Sequence, residues 1–225
     1  MSEMLVKLWQ NGIIQLGVWQ TVYMTVLSTL FAYLLGLPMG VLLYITKSDG
    51  ICPNRIVHGV LDVFVNIFRS IPCIILMVAM IPVARLLLGT STGNGAVIVT
   101  LVISAAPYVA RMVESALQEV KPGVIEAAQA MGASDSVIIW KVMIPEAKPA
   151  LITGAVISTV TILGYSAMAG TISGGGLGQI AINYGYQRTK DDIIWVCVVL
   201  TVVIVQIIQS LGMHIAHRVD KRVRH

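Results

Sequence analysis

Ile193-Ile194-Trp195-Val196-Cys197-Val198-Val199-Leu200-Thr201-Val202-Val203-Ile204-Val205-Gln206-Ile207-Ile208-Gln209-Ser210-Leu211-Gly212-Met213 carries no charged side chain from end to end. A helix needs roughly 20 residues to cross a hydrocarbon layer about 30 Å thick, and this run supplies them. Its apolar residues are continuous instead of alternating, which argues against a barrel strand. In lipid, backbone N–H and C=O groups must be satisfied internally, so a single continuous run can cross only as a helix.

Four further segments repeat the pattern: Gly17 to Ile45, Ile71 to Leu88, Ala96 to Met112 and Ala150 to Ala169. The first is long enough to tilt or to extend beyond the bilayer. The helix of the second can begin as early as His58. The sequence thus predicts an all-α polytopic membrane protein with five transmembrane helices, at about 17–45, 71–88, 96–112, 150–169 and 193–213, in one domain over residues 1–225.

Composition agrees. Of the 225 residues 56% are hydrophobic and only 12% charged, against about 25% charged in an average soluble domain. Mean hydropathy is +0.84. The chain has too few charges to coat a water-facing surface.

The formal charge of +4 does not point to nucleic acid. The basic residues flank apolar runs and form no face interleaved with aromatics. Their distribution instead sets orientation. Numbering the loops alternately places Lys47, Arg55, Lys121, Lys141, Lys148, Arg218, Lys221, Arg222 and Arg224 on one side, and Lys7, Arg85, Arg188 and Lys190 on the other. Arg69 and Arg111 fall towards the richer side. The positive-inside rule then puts the N-terminus outside and the C-terminus in the cytoplasm. Met1-Ser2-Glu3-Met4 lacks the basic n-region of a signal peptide, so the first apolar run is expected to stay as a span.

Gly36, Pro38 and Gly40 in the first span, Pro82 in the second and Pro107 in the third imply a bundle with bends, because freed backbone groups in lipid must find neighbours. Gly154, Ala155, Ser158, Gly164 and Ala167 on the fourth span are small enough for close helix approach. No charge lies near the middle of a span, so neither a proton relay nor a voltage sensor is expected. No inverted repeat is evident, which weakens a secondary-transporter reading. Cys52, Cys73 and Cys197 form no CxxC pair and read as small hydrophobes. His214 and His217 lie three apart with no third ligand nearby.

The segment from Arg111 to Pro149 is the informative one. Pro122 can open a helix towards Met131, and Gly132 can supply the turn at its end. Ser134 can cap a second helix with Asp135 in its first turn. Pro145 and Pro149 are expected to stop that helix before the fourth span. The loop, 119–147, reads as two short helices bent at a glycine.

Within it stand Glu126-Ala127-Ala128, three residues, Gly132, nine residues, then Val142-Met143-Ile144-Pro145. This resembles the EAA loop of bacterial ABC-importer permeases: E-A-A, three residues, G, nine residues, I-x-L-P. Val142 and Ile144 depart mildly from the usual isoleucine and leucine. The resemblance extends along nearly the whole chain. Arg69-Ser70-Ile71-Pro72 matches amino-acid importer permeases. Ala105 to Glu114, Gly164 to Gly170, Gly174 to Gln179 and Tyr184-Gly185-Tyr186 are similar to the methionine importer permeases.

The resemblance implies a cytoplasmic coupling helix between spans three and four, docked on a separate ATPase through Glu126, Ala127, Ala128, Gly132 and Pro145. It implies two copies of the chain, two ATPase subunits and a substrate-binding lipoprotein in a bacterial inner membrane. ATP and Mg would sit on the ATPase, with no cofactor bound by this chain. No G-x-x-x-x-G-K-[ST] loop is present, and Gly176 to Ala181 fits a dinucleotide pattern without the βαβ context that would give it meaning. No catalytic role is therefore expected of this chain.

Tyr165, Ser166 and Met168 are candidates for the pathway. Gly174, Gly175 and Gly176 read equally as a flexible gate or as a tight turn. Arg69 can pair with Glu114 or snorkel to headgroups. Rival readings are a permease for another polar amino acid, or an ion-coupled carrier or channel working without ATP.

Overall fold

The computed structural model describes residues 3–172 and 174–220. Lys221, Arg222 and Arg224, invoked above for orientation, lie outside the described residues. In chain order the helices are α1 (Glu3–Gln10), α2 (Ile13–Ile45), α3 (Arg55–Ser70), α4 (Cys73–Ala79), α5 (Ile81–Leu88), α6 (Asn94–Gln118), α7 (Pro122–Ala130), α8 (Asp135–Val137), α9 (Ile144–Glu146), α10 (Lys148–Ala169), α11 (Leu177–Ile180) and α12 (Asp191–Val219). π-helical turns cover Ile138–Met143 and Ala181–Tyr186. All regular structure among the described residues is helical.

Four helices, α2, α6, α10 and α12, are long and apolar enough to cross a bilayer; the count rises to five if the bent pair α3–α4 is one crossing. Of these α6 is the most enclosed, with 72% of its most apolar window buried against 17% for α12. α2 and α12 turn large side chains such as Trp19, Leu34, Trp195 and Leu211 outwards, as lipid-facing helices do.

The expected single helix over 71–88 does not form. α3 and α4 meet at 105° across Ile71-Pro72, where the proline disfavours helical backbone at the residue before it. α4 then ends at Met80, which also opens α5, with Pro82 in the first turn of α5. Two prolines ten residues apart thus divide an apolar run that composition alone presents as continuous. Gly89, left-handed at φ +72°, ends α5.

The chain divides into two compact units. The first comprises Met1–Ala32, Ile71–Ala105 and Thr159–Gln209. One of its cores gathers Leu5, Ile14, Leu163, Leu177, Ile193 and Cys197; another gathers Met24, Met77, Val97, Leu101 and Ala169.

The second unit comprises Tyr33–Ser70, Ala106–Ser158 and Ser210–His225. Here α2 and α6 run side by side in the same sense. A Cβ on Gly36 would lie 2.8 Å from that of Val109, and one on Gly40 would lie 2.6 Å from that of Val113. These glycines, read above as helix breaks, are points of close helix approach, where backbone packs on a neighbour for lack of a side chain. Gly154 makes only ordinary contact with Met112 at 3.7 Å, and Gly164, in the first unit, has open space.

α3 is strongly amphipathic. Asn54 caps it, its Oδ1 accepting from the N–H groups of Ile56 and Val57 at 3.1 Å, as an N-cap residue does.

Candidate functional site

The segment joining α6 to α10 is a compact hairpin. Pro122 stands in the first turn of α7, after an extended Lys121, where its missing N–H costs nothing. At the far end Gly132 adopts φ +75°. Its N–H donates to Gln129 O at 2.9 Å, and that of Ala133 donates to Ala128 O at 3.1 Å. This pair of bonds is the Schellman arrangement, which satisfies carbonyls left over at a helix end.

Beyond the turn, Ser134 occupies the N-cap position with extended backbone, but its hydroxyl makes no capping hydrogen bond. The sequence placed the cap correctly and overstated its chemistry. Pro145 lies inside the second helix, which ends one residue later at Glu146, and Ala147 separates it from α10, where Pro149 is the second residue. The chain widens into a π turn over Ile138–Met143, passes through α9, and enters α10 with Leu151 N–H on Ala147 O at 2.8 Å. A proline ring in a helix collides with the carbonyl four residues earlier, and a wider turn just before it relieves that clash.

The hairpin divides its marked residues between inside and outside. Ala128 is buried at 3% exposure, on a helix packed against the π turn. Glu126, Ala127, Gly132 and Pro145 are exposed. One alanine therefore serves the hairpin's own packing, and the other lies on its open face beside Glu126. Glu126 and Gln129 also form one wall of a cleft of about 430 Å³, with Tyr44 and Asp49 on the opposite wall.

The loop after α2 is tied to this hairpin. Cys52 Sγ donates to Asp135 Oδ2 at 3.2 Å. The bond to Asp135, with partial desolvation and the carboxylate's charge, pushes the Cys52 thiol above its ordinary pKa.

The glycine-rich segment is buried and hydrogen-bonded to side chains. Gly174, Gly175 and Gly176 are all buried, and three successive N–H groups meet side chains. Gly175 donates to Asn94 Oδ1 at 3.0 Å, Gly176 to Gln20 Oε1 at 2.9 Å and Leu177 to Thr21 Oγ1 at 2.9 Å. Gly176 stands at φ +95°, and a Cβ there would press on Thr21 Oγ1 at 2.8 Å.

The neighbouring candidates do not share one face. Tyr165 packs beside the Met24 core. Ser166 is buried, its hydroxyl donating to Leu163 O at 2.7 Å, whereas Met168 is 46% exposed.

A polar cluster that sequence reading missed lies in the second unit. Arg111 Nη1 donates to Glu114 Oε2 at 2.6 Å. Its Nη2 meets Asp62 and donates to Asn66 Oδ1 at 2.8 Å. Glu114 therefore pairs with Arg111, three residues earlier, and Arg69 is exposed. The available signal was Asp62 and Asn66 at i, i+4, polar positions on an otherwise apolar amphipathic stretch.

No group of three or more potential metal ligands occurs among the described residues.

Comparison with known proteins places this arrangement. Residues 32–225 match the binding-protein-dependent transport system inner membrane component family. The chain is 50% identical over 204 residues to the probable D-methionine transport system permease protein MetI of Vibrio cholerae, covering 91% of each chain. It is 45% identical over 181 residues to the methionine import system permease protein MetP of Bacillus subtilis, covering 80% of this chain and 82% of that one. Among solved structures, an inward-facing conformation of the MetNI methionine ABC transporter superposes with TM-score 0.92 at 46% identity, over 98% of this chain and 100% of the other. An amino acid ABC transporter with histidines shares the fold, with TM-score 0.78 at 19% identity over 97% and 99% of the two chains.

Proposed function

The chain belongs to the family of binding-protein-dependent transport system inner membrane components, and on that premise we propose that it is the membrane-spanning subunit of an ATP-driven methionine importer. The observation that carries this reading is the hairpin. Its rigid glycine turn leaves Glu126 and Ala127 on an open face, within a chain half identical to a methionine transport permease.

Residues 1–225 form one permease domain in this reading, working as a pair of identical subunits. Two ATPase subunits bind the hairpins from the cytoplasm and hold the ATP and Mg, and a lipoprotein delivers methionine from outside. Names of relatives mention D-methionine and methionine, which supports acceptance of both enantiomers.

Five crossings with the N-terminus outside fit the packing. α2 and α6 run in the same sense. If both cross the membrane, the chain between them must return across it once, and the bent segment α3–α5 is the part available to do so. The hairpin then lies at the same membrane face as Lys47 and Arg55, the lysine- and arginine-rich side.

The mechanism is alternating access. Closure of the ATPase pair moves the two hairpins, and the spans shift between inward and outward openings. ATP and the loaded binding protein drive this only through their different affinities for the two states. Glu126 supplies a carboxylate for a cationic or N–H partner on the ATPase, and Ala127 allows close approach. Gly132 and Pro145 fix the hairpin's shape. Met168, the exposed one of the three candidates on α10, is assigned to the pathway near its outer gate, with Tyr165 and Ser166 on the same helix, and the Gly174–Gly176 segment forms part of that gate.

The deciding experiment is reconstitution of the permease with its ATPase and binding protein in liposomes. ATP-dependent uptake of labelled methionine, with unlabelled D- and L-methionine both competing, is the expected result. Uptake that another polar amino acid inhibits and methionine does not would replace the cargo. Substrate movement down an ion gradient without the ATPase would overturn the importer reading.

A further inference from the structure

α3 is held within its unit by little apolar surface. Val65 is its one buried side chain, meeting Leu43 and Ala110 with Leu61 beside it. Ile56, Val60, Val63 and Ile67 face outwards at 54–79% exposure. What ties α3 to α6 is mostly polar. Arg111 on α6 reaches Asp62 and Asn66 on α3, and Asn66 Nδ2 donates to Asp62 Oδ2 at 3.1 Å. The other arm of the guanidinium meets Glu114, whose side chain is only 7% exposed. Charge-assisted hydrogen bonds of this kind are about twice as strong as neutral ones, and the planar fork of arginine fixes direction as well as distance.

The position of the cluster matters as much as its strength. Arg111 stands about two helical turns before α6 ends at Gln118, and α7 opens at Pro122 soon after. A force applied to the hairpin reaches the permease on one side through that last stretch of α6 and on the other through α9 and α10. α3 is tied to α2 by the His58 ring on Leu43 O at 3.1 Å and by Val65 on Leu43, and its polar link to α6 is the Arg111 cluster.

From this geometry we infer that Arg111, Asp62 and Asn66 form a positioning clasp for energy coupling, binding α3 to the end of α6 so that the two helices move with the hairpin as one body. The inference rests on the reading of the hairpin as the ATPase-docking element. Arg111 bridges the helices, Glu114 orients Arg111 from within its own helix, and Asn66 orients Asp62.

The test uses the complete reconstituted transporter, with Cys52, Cys73 and Cys197 replaced by serine. Spin labels at Val60→Cys and Gln118→Cys report the distance between α3 and the end of α6. Methionine imported per ATP hydrolysed is measured in the same preparations. With the clasp intact the distance distribution is narrow and unchanged by ATP.

Asp62→Ala broadens the distribution and lowers transport per ATP about tenfold, within the range of single-residue effects on coupling, while Asp62→Glu restores both. If Asp62→Ala does not assemble, Asp62→Asn, which keeps the shape and removes the charge, is read in the same way. Unchanged distances with an unchanged ratio would overturn the clasp. So would a mere loss of assembled complex at a constant ratio, since that marks a purely structural role. Failure of the hairpin reading has a different signature: ATP hydrolysis indifferent to Glu126→Lys, with the broadened distances of Asp62→Ala still present.

Discussion

Ala133 donates its backbone N–H to the carbonyl of Ala128 at 3.1 Å, and this one bond folds the second half of the hairpin back from the end of α7. It exists only because Gly132 between them stands at φ +75°. A Cβ at Gly132 would meet nothing within 4 Å, so a substitution there is penalised by backbone angle alone. For an ordinary L-residue the left-handed region costs roughly 1–2 kcal/mol, and for asparagine less. Gly132→Asn is therefore expected to keep most uptake. Gly132→Val should distort the turn and abolish ATP-driven uptake while the protein still inserts and assembles in the membrane. Uptake assays beside quantitation of membrane-inserted protein check both. Equal activity of the two variants would show that the turn does not matter.

Glu126 stands exposed on α7, so reversing its charge disturbs no packing within the chain. Glu126→Lys should leave detergent-extracted permease as stable as the wild type and remove stimulation of the ATPase by the loaded binding protein. A fall in apparent affinity of the ATPase for the permease of at least about tenfold is expected, as for loss of a charged interface contact. Normal stimulation in this variant would count directly against the hairpin as the docking element.

How far these features can be read from sequence depends on the range of the interaction behind them. The span at Ile193 to Met213 is legible because a helix in lipid announces itself by composition alone. The hairpin is legible at Pro122 and Gly132 because each residue imposes a local backbone preference. Ile71 to Leu88 misleads in degree, because the bend expected at Pro82 is a break between two helices and Pro72 turns the chain sharply at its start. Pro145 misleads only in position, since the π turn before it admits it to the helix, which then ends at Glu146, ahead of α10. Arg111 and Asp62 are 49 positions apart, and no local pattern shows that α3 folds back on α6. The sequence offered Arg69 as a partner for Glu114, while the structure uses an arginine three residues from it on the same helix.

The glycines of α2 provide a test of helix packing. Substitution at Gly40 would press a Cβ against Val113 at 2.6 Å, and at Gly36 against Val109 at 2.8 Å. These neighbours are branched close to the backbone and cannot swing aside. Gly40→Val is expected to destabilise by about 1–3 kcal/mol, the usual cost of overpacking, and to lower the melting temperature of purified permease. Gly164→Ala, at a site with open space, should be neutral or slightly stabilising, because alanine is the better helix former. Equal effects at Gly40 and Gly164 would mean that α2 and α6 do not approach as described.

Cys52 gives a chemical report on the contact between the loop after α2 and the hairpin. Its thiol donates to Asp135, which favours the protonated form and raises the pKa. The sign follows from that direction. The bond's contribution to stability is fully present while the thiol is protonated, below its unfolded pKa, and is lost as pH rises through the raised folded value. Since the thiolate is the reactive species, maleimide labelling of Cys52 should be slow near pH 8 and should accelerate only at higher pH. Asp135→Asn removes the charge and should speed labelling at pH 8 several-fold, with the pH–rate curve displaced downwards. The rate is measured with Cys73 and Cys197 replaced by serine, so that Cys52 alone reacts. An unchanged curve in the Asp135→Asn variant would show that the thiol and the carboxylate do not meet, and that the loop is free of the hairpin.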